Sequence, residues 1–188
     1  YDTTYLLKQL SGNSKKNLLK NITKDFEVNI NSLITKSKIP LNNFRLIGSI
    51  KKGKFEKFSA KSEFSEKEYL DISLKKDENN KKILEIYSDK PQALLADYKF
   101  FEGIKGGKLL YNSVIDERGS ASKISIENFK VQKAPAFATL LTLADLEGIT
   151  DALSGQGMSF DILEINLKDD ANVTTIEEIL ALGSSVSM

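Results

Sequence analysis

In several runs between Phe26 and Ile86 apolar residues recur at every second position. Phe26, Val28 and Ile30 alternate with Glu27 and Asn29; Phe44, Leu46 and Ile50 share one parity, with Gly48 between them. Leu70, Ile72 and Leu74 alternate with Asp71, Ser73 and Lys75, and Leu84 and Ile86 join the same set. Successive side chains of a strand point to opposite faces, so each run predicts a half-buried strand with its apolar members on one side. The breaks between the runs are short and polar: "KKGK" at 51–54, "SEKE" at 65–68 and "KDENNKK" at 76–82. Strands joined by such turns form an antiparallel meander, predicted here over 25–90.

Elsewhere the period lengthens. Leu6, Leu7, Leu10, Leu18, Leu19 and Ile22 predict a helical lead-in over 1–24, broken at Ser11-Gly12-Asn13. A second helix is predicted over Pro91–Phe101, with proline in its first turn and Ser88 or Asp89 as cap. "EGIKGGK" reads as a turn into strands Leu109–Ile115 and Lys123–Val131. In the latter, Ile124 and Ile126 take one parity and Phe129 and Val131 the other, which predicts a bulge near Glu127-Asn128. The stretch "APAFATLLTLADLEGITDALSGQGMSFD" (134–161) is the least typical of the chain, because no Lys or Arg occurs from Ala134 to Ile165. It predicts a helix pair over 135–154. Phe137, Leu140 and Leu141 form the apolar face of the first piece; Asp145 caps the second, with Leu146, Ile149 and Leu153 inward. Strand 160–167 and a strand-like segment from Thr174 follow. The fold class expected is α+β: a mainly antiparallel sheet of seven or more strands, with about three helices packing on or capping it. One domain spans 1–188: lead-in 1–24, meander 25–90, helix/strand/helix/strand region 91–168, and the start of a further strand region over 169–188.

Composition narrows the chemistry. Lys and Arg number 27 against 26 Asp and Glu, a formal net charge of +1, and this balance argues against a nucleic-acid binder. The lysine runs (Lys15-Lys16, Lys51-Lys52, Lys75-Lys76, Lys81-Lys82) read as solvated faces and turns. With no His and no Cys, the usual ligands of zinc, haem, iron–sulfur and copper sites are missing, as are His-dependent nucleophile arrangements. "GIKGGKL" (103–109) fails as a phosphate loop, since Lys108 is followed by Leu109 and the segment enters a strand. Asp145, Glu147 and Asp151 read as the solvent side of an amphipathic helix, Glu177-Glu178 as strand residues on opposite faces, and Asp169-Asp170 as a turn without EF-hand spacing. The reading is therefore non-enzymatic, with no catalytic residue, metal or cofactor. No apolar run reaches the roughly 18 residues of a membrane span. The chain begins at Tyr1 and stops at "LGSSVSM", and reads as a piece of a longer protein.

The segment "LLADYKFFEGIKGGKLLYNSVIDERGSASKISIENFKVQKAPAFATLLTLADLEGITDALSGQGMSFDILEINL" (94–167) resembles the AsmA-like family of Gram-negative envelope proteins, relatives of TamB and YhdP, in the region near their C-terminal end. The resemblance lies in Leu94–Phe101, Gly106-Gly107, Phe129–Val131, Ala134–Leu141, Leu146–Leu153, and Gly157, Phe160, Asp161 and Leu163. "FEVNINSLITKSKIPLNNFRLIGSIKKGKFEKFSAKSEF" (26–64) looks like the preceding hairpins of that family. Lys and Asn stand at many positions where its members carry Arg and Asp.

The resemblance implies a protein anchored in the inner membrane through segments outside this chain, with its body in the periplasm. Its sheet would be curled into an open, apolar-lined groove that carries or shields phospholipid acyl chains between inner and outer membrane, serving outer-membrane lipid homeostasis. Candidate groove residues are then Phe26, Val28, Ile30, Phe44, Leu46, Ile50, Leu70, Ile72, Leu74, Leu84 and Ile86. Candidate capping-helix residues are Phe137, Leu140, Leu141, Leu146, Ile149 and Leu153. The partners expected are a phospholipid or other acyl lipid and envelope proteins, with no nucleic acid. The alternative is an envelope assembly or scaffolding factor whose sheet edge binds client strands by β-augmentation, favoured by an unpaired edge poor in Lys and Pro.

Overall fold

The structure is a computed structural model and describes residues 21–132, 157–170 and 173–183. Nine strands follow one another: β1 Lys24–Ile34, β2 Pro40–Lys51, β3 Lys54–Ser65, β4 Glu68–Lys76, β5 Lys82–Ser88, β6 Ile104–Asp116, β7 Gly119–Val131, β8 Met158–Asp169 and β9 Thr174–Leu182. Each pairs antiparallel with the next, so spatial order equals chain order in one sheet.

Local chemistry explains the hairpins. Lys52 (φ 50°) and Gly53 (φ 75°) both take the left-handed conformation that a two-residue type I′ turn requires, joining the paired residues Lys51 and Lys54. The Asp77 carboxylate accepts the N–H groups of Asn79 and Lys81 at 2.9 and 2.8 Å, and Asn80 takes φ 61°. The Asp116 carboxylate accepts the Arg118 N–H at 2.8 Å in the β6–β7 turn, and that bond holds its carboxyl below the usual range. These are Asx turns, in which a short side chain replaces the missing ladder bond.

The expected α+β class is overturned. The described residues are nearly all antiparallel sheet, with no helix of seven or more residues. The helix expected over Pro91–Phe101 is reduced to α1, Gln92–Leu95, and a 3-10 turn, Lys99–Phe101. Its expected caps serve other partners. The Asp89 carboxylate accepts the Tyr69 N–H at 3.0 Å and the Tyr87 hydroxyl at 2.6 Å, while the Ser88 hydroxyl bonds the Lys90 backbone. An uncapped start cannot offset the cost of nucleation over so few residues, and Tyr98 is already extended. "IKGGK" is likewise no turn but the opening of β6. The helical lead-in expected over 1–24 lies outside the described residues up to position 20, and its end is corrected: 21–23 are not helical and Lys24 opens β1. The helix pair expected over 135–154 lies outside the described residues. Outside them too lie Phe137, Leu140, Leu141, Leu146, Ile149 and Leu153, and the carboxylates Asp145, Glu147 and Asp151.

Two buried clusters hold the end of the sheet nearest α1. Ile104, Leu109, Ile126, Phe129, Val131, Phe160, Leu163, Ile165 and Ala181 pack with Leu95; Leu41, Phe64 and Leu70 pack with Leu33, Ile39 and Ala93. Leu94 touches both, so the β5–β6 connection pins the two halves of the sheet together. Near this end the strands change parity in step. Gly106 (φ 68°) pairs with Phe129, and Gly107 (φ 87°) and Asn128 (φ 52°) fall between the pairs Gly106–Phe129 and Lys108–Glu127, so Phe129, Val131 and Phe160 reach the same core as Ile126 and Leu163. A Cβ on Gly107 would stand 2.8 Å from both Glu127 O and Phe129 Cβ, so glycine is required there. Asn43 (φ 52°) marks a similar break in β2, turning Leu41 inward beside Phe64.

Candidate functional site

The register assembles the two-residue alternation into rows that cross all nine strands. The middle row is Val28, Leu46, Ala60, Ile72, Ile86, Tyr111, Ile124, Ile165 and Ile179, each the cross-strand partner of the next. It is aliphatic throughout except for Tyr111. The row farther from α1 is Phe26, Gly48, Phe58, Leu74, Leu84, Ser113, Ser122, Leu167 and Ile176. The row nearer α1 runs from Ser62 and Leu70 through Ser88, Leu109, Ile126 and Leu163 to Ala181. Nine strands at about 4.8 Å spacing make this face about 38 Å wide.

Exposure grades along the strands. The row nearer α1 is sealed: Leu70 and Leu109 are 3% exposed, and Ser88, Ile126, Leu163 and Ala181 are at 0%. In the middle row Ala60 and Ile165 are buried, Leu46, Ile72, Ile86, Tyr111, Ile124 and Ile179 are half-buried, and Val28 is 38% exposed. The far row carries half-buried Phe26, Phe58, Leu84, Ser122 and Leu167, with Gly48, Leu74 and Ser113 buried between them, and ends at Ile176, 41% exposed. One face is therefore a core at one end and a partly open apolar surface toward the other.

Of the candidate groove residues, Phe26, Val28, Leu46, Ile72, Leu74, Leu84 and Ile86 lie in the middle and far rows. Ile30 pairs with Phe44 in the next row toward α1, and Ile50 pairs with Phe55 beyond the far row. Leu70 and Leu74 do not belong to the open surface: Leu70 is buried against Leu41 and Phe64, and Leu74 is 8% exposed. Phe55, Phe58, Tyr111, Ile115, Ile124, Ile165, Ile176 and Ile179 share the face and were not among the candidates, although their parity was available in the sequence. Gly48 explains how the aromatics pack. A Cβ there would lie 2.7 Å from Phe58 Cβ and 2.9 Å from the Phe26 ring, so the missing side chain leaves the space in which the two phenylalanines close over β2. Phe55 sits 5.7 Å from Phe26 and 5.2 Å from Phe58, centroid to centroid. The polar side chains of the middle and far rows, Tyr111, Ser113 and Ser122, are bonded among themselves. The Ser122 hydroxyl donates to Ser113 Oγ at 2.9 Å and lies 3.1 Å from the Tyr111 hydroxyl.

The opposite face is mixed: it exposes Ile47, Leu110 and Val114 but is laced with cross-strand ion pairs, Arg45–Glu27 at 3.0 Å, Lys61–Asp71 at 3.2 Å, Lys75–Glu85 at 2.7 Å and Lys123–Glu164 at 2.8 Å. Hydrogen bonds from Asn29 and Arg45 hold the Glu27 carboxyl below its usual range, and Lys75 does the same for Glu85. Tyr69 and Tyr87 stack at 4.7 Å; burial, then the bond to Asp89, pushes the Tyr87 phenol upward. Such pairs contribute little each, but they commit this face to water.

Among the described residues no group of three or more acidic side chains is placed to hold a metal ion, and no helix is long and apolar enough to cross a membrane. Glu178 accepts a hydrogen bond from Asn166 at 2.7 Å, and Asp170 accepts the Val173 N–H at 3.1 Å. Two open clefts of about 670 and 770 Å³ lie among charged residues at the two ends of the strands, not on the apolar rows. No family model matches the chain, and neither the curated proteins nor the solved structures yield a match.

Proposed function

We propose that the half-open part of the apolar face binds acyl chains of phospholipids or related lipids, and that the protein carries or shields them without catalysis. The observation that supports this most directly is the middle row: nine consecutive cross-strand neighbours without one charged side chain, most of them half-exposed. Water contact on that much hydrocarbon is unfavourable, and an acyl chain laid across it removes the contact on both sides. Each buried methylene contributes about 0.8 kcal/mol, so a chain half-shielded in an open trough gains several kcal/mol without a headgroup site. On this reading the AsmA-like resemblance supplies the setting: the periplasmic side of a Gram-negative envelope, between inner and outer membrane, with anchoring by segments outside this chain.

The test is photocrosslinking from single positions to an acyl-labelled phosphatidylcholine, together with mass spectrometry of lipids that co-purify with the chain. Crosslinks are expected from Leu46, Ile72 and Ile86 and not from Asn112 on the opposite face. Leu46→Asp and Ile72→Asp, each shown to be folded by circular dichroism, should lose the crosslinked lipid. Equal labelling of both faces, or full lipid retention by the folded Asp variants, would refute the reading.

The scaffold alternative rests on a separate observation. The strand order leaves β1 and β9 as edges among the described residues, and β9, "TTIEEILAL", contains neither Lys nor Pro. A client strand would add to β9 through backbone hydrogen bonds, so Ile179→Pro would abolish client capture while leaving acyl crosslinking at Leu46 intact.

A further inference from the structure

The turn that joins β2 to β3 lies at the end of the sheet away from α1, and lysines crowd it. Lys24, Lys51, Lys52, Lys54 and Lys57 are all exposed, and none makes an ion pair or side-chain hydrogen bond among the described residues. Their neighbours Lys75 and Lys76 are already engaged, by Glu85 at 2.7 Å and Glu56 at 2.6 Å. The Lys76 bond holds the Glu56 carboxyl below its usual range, with Lys51 adding only its charge. Asp25 is then the one carboxylate of the adjoining cleft not bonded to a lysine, and Lys24, Lys51 and Lys57 line the same cleft, in a chain whose overall charge is +1. The turn is held in place: the Lys52 N–H donates to Thr23 Oγ1 at 3.1 Å and the Gly53 N–H to the Ile22 carbonyl at 3.1 Å. Directly beside it, on the apolar face, stand the half-buried rings of Phe26, Phe55 and Phe58.

We propose that this corner docks the open end of the apolar face on an anionic bilayer surface. The proposal rests on the acyl-chain reading for its purpose, since a trough delivers or collects lipid where its open end meets a membrane. Two features of this corner select a bilayer over other polyanions. The free lysines supply attraction to anionic headgroups, at about 1 kcal/mol for each lysine near the surface, or roughly fivefold in affinity. The adjacent phenylalanines supply an apolar contact that a nucleic acid backbone does not use and an acyl/headgroup boundary does. Screening confines the attraction to a distance of about 8 Å at physiological salt, so the corner must touch the surface.

The experiment is vesicle flotation of the whole chain with pure phosphatidylcholine vesicles and with vesicles containing phosphatidylglycerol, at low and high salt. A 30-mer single-stranded DNA is titrated in parallel. The chain is expected on phosphatidylglycerol vesicles at low salt, released by high salt, and absent from neutral vesicles. Lys51→Gln/Lys54→Gln/Lys57→Gln should bind about a hundredfold more weakly. Lys99→Gln/Lys105→Gln/Lys130→Gln, with the same charge change near the α1 end, should bind like the parent. Equal binding to neutral vesicles, equal loss in the two triple variants, or tighter binding to the DNA than to the vesicles would overturn the proposal. Acyl crosslinking at Leu46 in detergent is measured on the same variants. Its persistence when flotation fails would discard the docking surface alone, and its loss in the parent chain would discard the trough.

Discussion

Replacing Ile126 and Ile176 by alanine, one at a time, tests whether the apolar face is a core at one end and open at the other. Both isoleucines lie on that face, but Ile126 is 0% exposed in β7 between Leu109 and Leu163, whereas Ile176 is 41% exposed on edge strand β9. Ile→Ala removes three carbon groups, or about 2.4 kcal/mol of transfer free energy if all were fully buried. At Ile126 the neighbours are themselves sealed, at 3% and 0% exposure, and cannot collapse fully into the space. The residual cavity adds to the loss, for a total of about 3–4 kcal/mol. At Ile176 the exposed fraction was never taken from water and solvent fills the gap, leaving about 1.4 kcal/mol. Equilibrium urea unfolding followed by far-UV circular dichroism reads both from the shift in midpoint at unchanged m. Equal losses, or a larger loss at Ile176, would mean that the two ends of the face are equally covered. The open surface on which acyl binding depends would then be gone.

Three further outcomes follow from particular contacts. Gly48→Ala should destabilise by about 2 kcal/mol or more in thermal melts, because the new Cβ would meet Lys57 O at 2.6 Å and Phe58 Cβ at 2.7 Å in a strand pinned from both sides. Asn128→Gly should be neutral or stabilising and Asn128→Val destabilising by about 1–2 kcal/mol, since φ 52° suits Asn and Gly but crowds a β-branched side chain; the same melts read the pair. Acid should weaken the fold. Glu27, Glu56, Glu68 and Glu85 have folded pKa values lowered from 4.5, chiefly by side-chain hydrogen bonds, so the unfolded chain binds more protons. Their stabilisation is full above pH 4.5 and is lost as pH falls through the lowered values. Melting temperature should therefore hold from pH 7 to 5 and drop below 4, with the drop reduced in Glu56→Gln.

The two-residue period of Phe26, Val28, Ile30, Leu46, Ile72 and Leu74 was enough to mark strands and to put these residues on one face, because strand alternation is a local property of the backbone. The turns at 51–54, 65–68 and 76–82 were legible for the same reason: Lys52-Gly53 and Asp77 act within a few residues of themselves. The helix over Pro91–Phe101 was misjudged because a propensity reading treats Ser88 and Asp89 as available caps. In the folded chain Asp89 answers to Tyr69 and Tyr87, partners set by strand pairing rather than by sequence neighbourhood. The same holds for Gly106-Gly107, which read as a turn until Asn128 and Phe129 on the next strand stood against them. Register likewise decided which apolar residues are core and which are surface. Leu70 and Ile72 are indistinguishable by pattern, but Leu70 meets Leu41, turned inward by the break at Asn43, and is sealed, while Ile72 stays half-open in the middle row. Local sequence thus determined strand, turn and face. Burial along the face depends on contacts between residues tens of positions apart, and only the tertiary structure brings those together.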